Sequence, residues 1–416
     1  MRHPLALALA IAVAAIAAPA HAQSTATAST PVNAQNSNPF FSESDLPLHY
    51  PRFDQINDRH FGPGFDRGMA ENLKEIEAIA NNPEAPTFDN TILAMEKAGE
   101  ILDRTSTVFF SLVGADTNDA RKKLQAEYAP RLSAHSDAIA LNPKLFARIK
   151  QLHDTRDTLG LDPQGVRLIE RYHTSFVRSG ANLSEQQKAR LREINGEMAK
   201  LGTTFSQNVM AEVNASAITV DTLEQLAGLS EEQITAAAEA AKSRKLDGKY
   251  VVALQNTTGQ PFEAHLQNRE LRERLHKASV VRGSRGNEFD NSGIVATVVK
   301  LRAEKAAMLG HPTYAAYVLE DETAKSPHAV NEMLAKLAPA AVANARREGA
   351  AIQQMIDKEQ AAKGEPTFQL QPWDWAYYTE KVRQEQFNFD ESELKPYLEL
   401  KNVLENGVFH AANQFY

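Results

Sequence analysis

The amino-acid sequence predicts a mainly α-helical fold that contains one small β element. Apolar residues recur at intervals of three and four positions over long stretches, which is the spacing of one helix face. Capping residues precede several of these stretches, and only two short segments are rich in β-branched residues. No segment recurs at a fixed period, so the sequence disfavours a solenoid of helical repeats.

Two helices are predicted in the first third of the chain. The first ends at Asn81-Asn82-Pro83, because proline cannot continue a helix. Its apolar face is formed by Phe65, Met69, Leu73, Ile76 and Ala80. A second helix is predicted from the apolar residues Ile92, Met95, Leu102, Phe109 and Leu112.

Capping pairs predict the starts of two further helices. Ser184 and Gln187 have the spacing of a capping box, in which each side chain accepts from the other residue's backbone N–H. The helix behind them is predicted to run for roughly seven turns. Its apolar residues are Leu191, Ile194, Met198, Leu201, Phe205 and Val209. Ser230 and Gln233 repeat the same spacing.

Strand character is confined to two segments. Residues 217–220 (Ala-Ile-Thr-Val) and 250–254 (Tyr-Val-Val-Ala-Leu) are β-branched or apolar. Thr257-Thr258-Gly259 supplies turn residues after the second segment. These segments predict a small, hairpin-like β insertion in an otherwise helical body.

A glycine-rich loop and a long helix follow the β segments. Gly283-Ser284-Arg285-Gly286 either cradles an anion or is an ordinary loop before a helix that starts near Asn291. Ser326-Pro327 supplies an N-cap and a first-turn proline. The helix that it opens is expected to run to Lys363-Gly364 and to kink at Pro339.

Composition excludes several functional classes. The formal net charge is −8 and there is no long basic run, which argues against nucleic acid as a partner. The chain has no cysteine, so disulfides, thiolate metal sites and cysteine nucleophiles are excluded. With 416 residues, of which 43% are hydrophobic, the chain can form two or three domains or one large helical body.

The first residues have the features of an export signal. Arg2 and His3 precede 14 apolar residues (5–18), and Ala20-His21-Ala22 is an A-x-A cleavage site. The alternative is a membrane anchor, but a spanning helix needs about 20 apolar residues. We therefore expect a signal peptide at 1–22, a mature chain that begins at Gln23, and export to a periplasm-like compartment without a membrane anchor. Residues 23–37 are small and polar and predict a disordered spacer.

Eight sequence blocks between residues 38 and 416 lie in a recognisable order. They are Asn81–Phe88, Arg171–Leu183, Tyr250–Thr258, Leu301–Lys305, Tyr314–Asp321, Pro372–Arg383, Leu394–Tyr397 and Val403–Phe409. In this order they resemble the thimet-oligopeptidase-like zinc metallopeptidases, most of all their bacterial peptidyl-dipeptidase (Dcp) branch. The resemblance implies an elongated, multi-helix, two-lobed zinc peptidase with a deep channel. Such an enzyme releases dipeptides from the C-termini of short peptides.

The resemblance also implies a division of the chain. Residues 38–215 would form a helical N-terminal lobe, 216–260 the β-containing insertion, and 261–416 a helical region that leads into the catalytic domain. Zinc would be the cofactor of the complete enzyme. Short peptides would be its substrates.

The zinc motif of such enzymes is absent from the 416 residues. In H-E-x-x-H, two histidines on one helix face hold the metal and the glutamate activates its water. None of the twelve histidines is followed by Glu, and no two of them are four positions apart. We therefore expect no catalytic or metal-ligating residue here, no bound zinc, and no activity of this chain alone.

The last 25 residues suggest an incomplete fold. Ser392 is a suitable N-cap, and the apolar residues behind it at roughly helical spacing are Leu394, Leu398, Val403 or Leu404, and Phe409. The chain then closes on Phe415-Tyr416. Either this helix docks on its own core, or the chain ends before its fold does. The second interpretation is the expectation here, so the chain would be the N-terminal part of the enzyme, ending before H-E-x-x-H.

An aromatic segment supplies the candidate substrate residues. They are Trp373, Asp374, Trp375, Tyr377, Tyr378 and Arg383. Aromatic side chains at this density either line a peptide groove or lock two helices together. A function of a different class also remains open, namely a secreted, non-catalytic helical protein that binds peptides or a protein partner.

Overall fold

The computed structural model of the protein describes residues 38–255, 259–388 and 391–416. The predicted signal peptide (1–22) and spacer (23–37) lie outside the described residues. The described chain divides into two compact units, one containing residues 38–204 and 297–317 and the other 205–296 and 318–416. The three-part division inferred from the resemblance stays a prediction. In the described parts, no helix is long and apolar enough to cross a membrane.

The predicted fold class is confirmed, because the described chain is mainly α-helical with one small sheet. The α-helices are α1 Phe61–Ala80, α2 Ala94–Lys97, α3 Glu100–Ala115, α4 Asp119–Ala140, α5 Pro143–Thr155, α6 Pro163–Arg178, α7 Glu185–Ala215, α8 Glu231–Ser243, α9 Gly259–His265, α10 Arg269–Val280, α11 Ser292–Met308, α12 Tyr314–Leu319, α13 Pro327–Lys363, α14 Trp375–Phe387, α15 Leu400–Asn402 and α16 His410–Phe415. Two π-helical segments, Phe88–Leu93 and Val403–Phe409, directly precede α2 and α16.

Short 3₁₀ segments occur between the α-helices. They are Pro39–Phe41, Pro47–His49, Asp58–His60, Arg156–Thr158, Leu223–Leu226, Pro372–Asp374 and Glu391–Leu398. The strands are β1 Ile218–Val220 and β2 Tyr250–Val252, which pair antiparallel with Thr219 opposite Val251. The predicted β element is therefore confirmed. Its connection contains α8, so the two strands are not joined by a tight hairpin turn.

The core of the first unit has two apolar clusters. One is built from buried aromatic rings of α1, α3 and α4, in which Phe65 makes an edge contact with Phe109 at 5.2 Å and stacks on Tyr128 at 4.8 Å. The other joins α1 to α5 and α6 through Ile76, Ile92, Leu145, Ile149, Leu152 and Ile169. Removal of this apolar surface from water is the main force that holds the helices together.

The predicted second helix is interrupted, which corrects the expectation of one element from Ile92 to Leu112. Ala98 is extended and Gly99 has a φ of +85°, so the chain re-enters a helix only at Glu100. The reason is the close approach of α1. A Cβ on Gly99 would lie 2.8 Å from Asn72 Nδ2, and the Gly99 N–H donates to Glu75 Oε2 at 2.8 Å. The helical spacing of apolar residues continues across Ala98 and Gly99, so this spacing alone could not show that the helix breaks there.

The predicted helix caps are present. The Ser184 and Gln187 backbone N–H groups donate to each other's side chain, at 3.0 and 3.3 Å, ahead of the 31-residue helix α7. Ser230 and Gln233 make the same arrangement before α8. Ser326 caps α13, which continues through Pro339 and ends at Gly364 in the left-handed conformation.

The glycine-rich loop of the second unit has a structural role. Arg285 forms an ion pair with the fully buried Glu212 and donates to the Ala278 carbonyl. Asn287 Nδ2 and Ser216 Oγ also donate to Glu212, at 2.8 and 2.9 Å. Because the guanidinium is already engaged with a carboxylate, the structure favours the ordinary loop over the anion cradle.

The C-terminal segment is helical but irregular. The side chain of Ser392, the predicted N-cap, lies outside the described residues, and the following stretch to Leu398 is 3₁₀ helix. The observed cap is Glu399, whose carboxylate accepts from the Lys401 and Asn402 N–H groups at 3.0 and 2.7 Å. The exposed apolar side chains of the segment include Leu398, Leu404, Phe409 and, at 82%, Phe415. The described residues therefore do not form a core beneath them.

Two histidines stack where α5 packs on α6. The His153 and His173 rings are 3.9 Å apart between centroids and 13° from parallel. Phe146 also stacks on His173, at 5.7 Å. His153 Nδ1 lies 3.6 Å from Asp154 Oδ1. Rings stacked in this way repel each other if both become protonated.

We predict that acid weakens this packing. Burial, and secondarily the neighbouring His153, lower the pKa of His173 below its ordinary value of 6.5; Asp154 opposes the shift, and Lys150 and Arg156 add to it. The unfolded chain then binds the proton more readily, so this contribution to stability is complete above pH 6.5 and is lost as the pH falls through the lowered folded value. Urea midpoints measured from about pH 7.5 to 5 should fall less steeply for His173→Gln than for the unchanged protein.

The matched control is His328→Gln, because the His328 side chain is 83% exposed. Its urea midpoint should follow the pH dependence of the unchanged protein. Equal pH dependence for His173→Gln and the unchanged protein would contradict the prediction.

Candidate functional site

The six candidate substrate residues lie in the second unit, on the 3₁₀ turn Pro372–Asp374 and the helix α14 that continues from it. Proline opens the turn, and the Asp374 carboxylate accepts from the Gln371 backbone N–H at 3.2 Å. α14 packs against α13 through an apolar cluster centred on Ile352 and Ile356. The turn itself contacts α10.

Asp374 is the electrostatic centre of this region. Its side chain is fully buried, with 0% exposed. Arg269 Nε and Nη2 donate to its carboxylate at 2.9 and 2.8 Å, and Arg272 Nη2 donates at 3.0 Å. A carboxylate inside a protein is stable only when it is paired and hydrogen-bonded in this way. Asp374 is therefore engaged in holding the turn on α10.

Arg272 completes the same network and is itself only 1% exposed. Besides Asp374 it donates to three backbone carbonyl groups, those of Leu266, Gln267 and Trp373, at 2.8, 3.1 and 3.1 Å. The guanidinium also lies over the Tyr377 ring, 4.2 Å from its centroid. One arginine thus ties the end of α9 to the start of α14.

Arg269 and Arg272 are not among the residues predicted for the site. Their local signal is the i,i+3 spacing, which places both on one face of the observed helix α10. Asp374 lies more than a hundred residues further along the chain. Nothing in the local sequence pairs these residues.

The two tyrosines and Trp375 are packing residues. Tyr377 and Tyr378 are buried against Ile352 and Ile356. Burial, together with the nearby Glu359 carboxylate, raises the pKa of Tyr378 to about 12. The Trp375 ring packs beside Gly349, where a Cβ would lie 3.5 Å from Trp375 Cζ3. For these three residues the helix-locking interpretation is favoured.

Trp373 has a different environment. Its ring is half-buried, and in the described part of the chain its buried indole Nε1 has no hydrogen-bond partner. Lys277 Nζ lies 5.5 Å from the ring centroid and the His276 ring lies 6.1 Å away. A second cationic side chain, that of Arg269, lies over the same ring, 5.9 Å from its centroid. The ring of Trp373 is thus partly exposed, whereas its N–H group is buried.

Two other polar groups lie on the elements around the turn. Arg383 donates twice to Glu380, both times at 2.7 Å, and this pairing lowers the pKa of the Glu380 carboxyl group. On α9, burial raises the pKa of Glu263, while Arg272 opposes the shift. The groove interpretation stays a prediction for Trp373 and Arg383.

The described residues do not fit a zinc site. No group of three or more His, Asp or Glu side chains in residues 38–255, 259–388 and 391–416 is placed to hold a metal ion. His153 and His173 stack face to face, whereas chelation requires a nitrogen of each ring to point at one metal. In the described residues these two histidines therefore do not form a metal site.

Comparison with known proteins identifies the family. Residues 262–416 match peptidase family M3. The dipeptidyl carboxypeptidase of Escherichia coli (strain K12) is 43% identical over 379 residues, which are 91% of this chain and 55% of that protein. The corresponding protein of Salmonella typhimurium is 42% identical over 381 residues, with 92% and 55% covered.

A more distant relative extends the comparison. The oligopeptidase A of Haemophilus influenzae is 26% identical over 384 residues, covering 91% of this chain and 55% of that protein. The chain thus spans about half the length of the curated relatives that it matches. The resemblance inferred from the sequence blocks is confirmed: the chain belongs to the thimet-oligopeptidase-like peptidases of family M3, on the dipeptidyl carboxypeptidase branch.

Proposed function

We propose that the whole protein is a zinc-dependent peptidyl-dipeptidase that removes dipeptides from the C-termini of short peptides. The observation that carries this proposal is the 43% identity to a dipeptidyl carboxypeptidase over 91% of the chain. Identity at this level, spread over both units, is expected of proteins that share a substrate class. The lower identity to an oligopeptidase A, 26%, supports peptides as the wider class.

Within that enzyme, the 416 residues would be the part that carries no zinc ligand. Their sequence has no H-E-x-x-H, and the described residues offer no metal-binding group. Zinc, when bound by the complete enzyme, would supply the activated water for peptide hydrolysis. The residues described here would bind and orient the peptide rather than move a proton.

Trp373 is the residue that we assign to peptide binding. The ion pairs of Asp374 hold the turn on α10, so the neighbouring indole is kept beside Lys277. Its N–H group is buried, but the exposed part of its half-buried ring can stack on a peptide side chain. A fixed turn positions this ring at little entropic cost.

We further propose that the protein is exported and that it acts in a periplasm-like compartment. The support is the leader pattern of residues 1–22, with its apolar run and A-x-A site. The alternative of a secreted, non-catalytic binding protein shares this localisation. The two functions differ in zinc content and hydrolysis.

The purified 416-residue chain is expected to contain no stoichiometric zinc and to release no dipeptide. Hydrolysis needs an ion held beside a carboxylate, and the sequence has no histidine pair that could hold it. Elemental analysis and a chelator-sensitive dipeptide-release assay measure both properties, with the Escherichia coli relative as the active control. One zinc per chain with chelator-reversible turnover would show that other ligands operate here.

Export is expected to be followed by cleavage after Ala22. N-terminal sequencing of the exported protein should begin at Gln23. Ala22→Asp should block this cleavage, because the site requires a small residue, whereas Ala12→Val in the apolar run should leave it unchanged. Recovery of intact Met1 from a soluble cytoplasmic pool would contradict export.

Substitutions in the aromatic segment should separate binding from packing. Trp373→Leu is expected to weaken binding of a fluorescein-labelled tetrapeptide roughly tenfold while leaving the melting temperature nearly unchanged. Asp374→Asn should lower the free energy of unfolding by about 3–5 kcal/mol, because it leaves two arginines without their buried partner. Fluorescence anisotropy and urea unfolding measure the two effects.

The matched control for the second variant is Asp357→Asn. Asp357 is an exposed carboxylate of the same unit that bonds Thr367 and Gln353. Its substitution should change the free energy of unfolding by no more than about 1 kcal/mol. Unchanged tetrapeptide affinity in Trp373→Leu would exclude Trp373 from the groove.

A further inference from the structure

A cavity of about 450 Å³ lies in the first unit, between the segment Pro39–Ile56 and helix α3. Its volume falls within the range of small-ligand sites, about 300–1,000 Å³. The lining is mixed. Apolar surface comes from Phe40, Ile56 and Val108, and the two fully buried members, Phe40 and Val108, fix its position.

The segment that forms one wall is tied down by specific contacts. Asn38 Nδ2 donates to the His60 carbonyl at 2.8 Å, and its Oδ1 accepts from the Phe40 N–H at 3.1 Å. Arg52 makes a two-pronged ion pair with Asp45, at 2.8 and 2.9 Å. The wall is therefore preformed, and ligand binding would not have to order it.

Each wall carries charges of both signs. The segment contributes Arg52 and Asp45, and α3 contributes Arg104 and Asp103. Arg104 is incompletely satisfied, because its bonds to the Phe40 carbonyl are long, both at 3.4 Å, and its contact with Glu100 is 3.2 Å. Its guanidinium group can therefore donate to a better-placed acceptor, such as a carboxylate of a ligand.

Asp103 and Gln55 are exposed members of the polar lining. Its other polar members beyond the charged residues named above are Ser42, Glu43, Ser44, His49 and Thr107. Among the residues that the structure describes, neither the Asp103 nor the Gln55 side chain makes a hydrogen bond or an ion pair. The Asp103 carboxylate can therefore accept from a cation, and the Gln55 amide can both donate and accept. An apolar floor flanked by a free carboxylate and an available guanidinium is complementary to a molecule that carries both charges around an apolar centre.

We propose that this cavity binds short peptides with free ends, with the dipeptide zwitterion as the class that best fits its size and charges. The peptide ammonium would pair with Asp103, the carboxylate with Arg104, and one apolar side chain would cover Phe40 and Val108. The lining of this site belongs to the first unit and shares no residue with the Trp373 segment, and the proposal does not rest on the proposed catalytic function. It would persist in a protein that hydrolyses nothing.

The test is calorimetric titration of the 416-residue chain with the free dipeptide Ala-Leu, its N-acetyl derivative and its C-terminal amide. Each derivative removes one charge, and each should bind at least tenfold more weakly than the free dipeptide. Asp103→Asn should lower the affinity for the free dipeptide to that of the unchanged protein for the N-acetyl dipeptide. The same substitution should leave the affinity for the N-acetyl dipeptide unchanged. Gln55→Ala, a second cavity variant, should also weaken the free dipeptide.

The matched control is Asp119→Asn, an exposed carboxylate (93%) on α4 outside the cavity. Its affinity for the free dipeptide should equal that of the unchanged protein. Melting curves establish that the variants are folded. Equal binding of free and blocked dipeptides, or an Asp103→Asn variant that still discriminates between them, would overturn the proposal, as would absence of binding. Failure of the zinc or hydrolysis assays would not affect it.

Discussion

The second unit depends on the pairing of one buried carboxylate with two arginines. Asp374 has no access to solvent, so its charge must be balanced inside the protein, and Arg269 and Arg272 supply that balance from α10. Arg272 also donates hydrogen bonds to three backbone carbonyl groups. Because every bond is satisfied only when α9, α10 and the 3₁₀ turn are all in place, the network selects one arrangement of these elements.

The fixed position of Asp374 explains why some aromatic residues of the segment are buried while Trp373 is only half-buried. Residues on the α13 side, Tyr377 and Tyr378, are buried with the apolar cluster. Trp373 precedes the buried carboxylate, and its half-buried ring has Lys277 Nζ 5.5 Å from its centroid. The ion pairs thus fix the backbone, while the ring beside them stays partly exposed. Binding groups are often carried on such rigid supports.

The first unit uses a different balance of forces. Its helices are held by stacked and edge-on aromatic rings and by aliphatic packing, with close contact where Gly99 meets Asn72. Polar groups are left at its periphery, at the His153–His173 stack and around the cavity beside α3. Apolar packing therefore supplies stability in this unit, and the polar groups are those on which the predicted pH dependence and the proposed ligand site rest.

The sequence by itself determined the helical class, the capped starts at Ser184, Ser230 and Ser326, the strand pair and the family. These features depend on residues within a few positions of one another, or on the order of sequence blocks. Only the tertiary structure decided that the helix breaks at Gly99 and that Arg285 pairs with the buried Glu212. It also decided that two arginines pair with Asp374. Each of these depends on a partner that is remote in the chain, and local spacing carries no information about which remote groups meet.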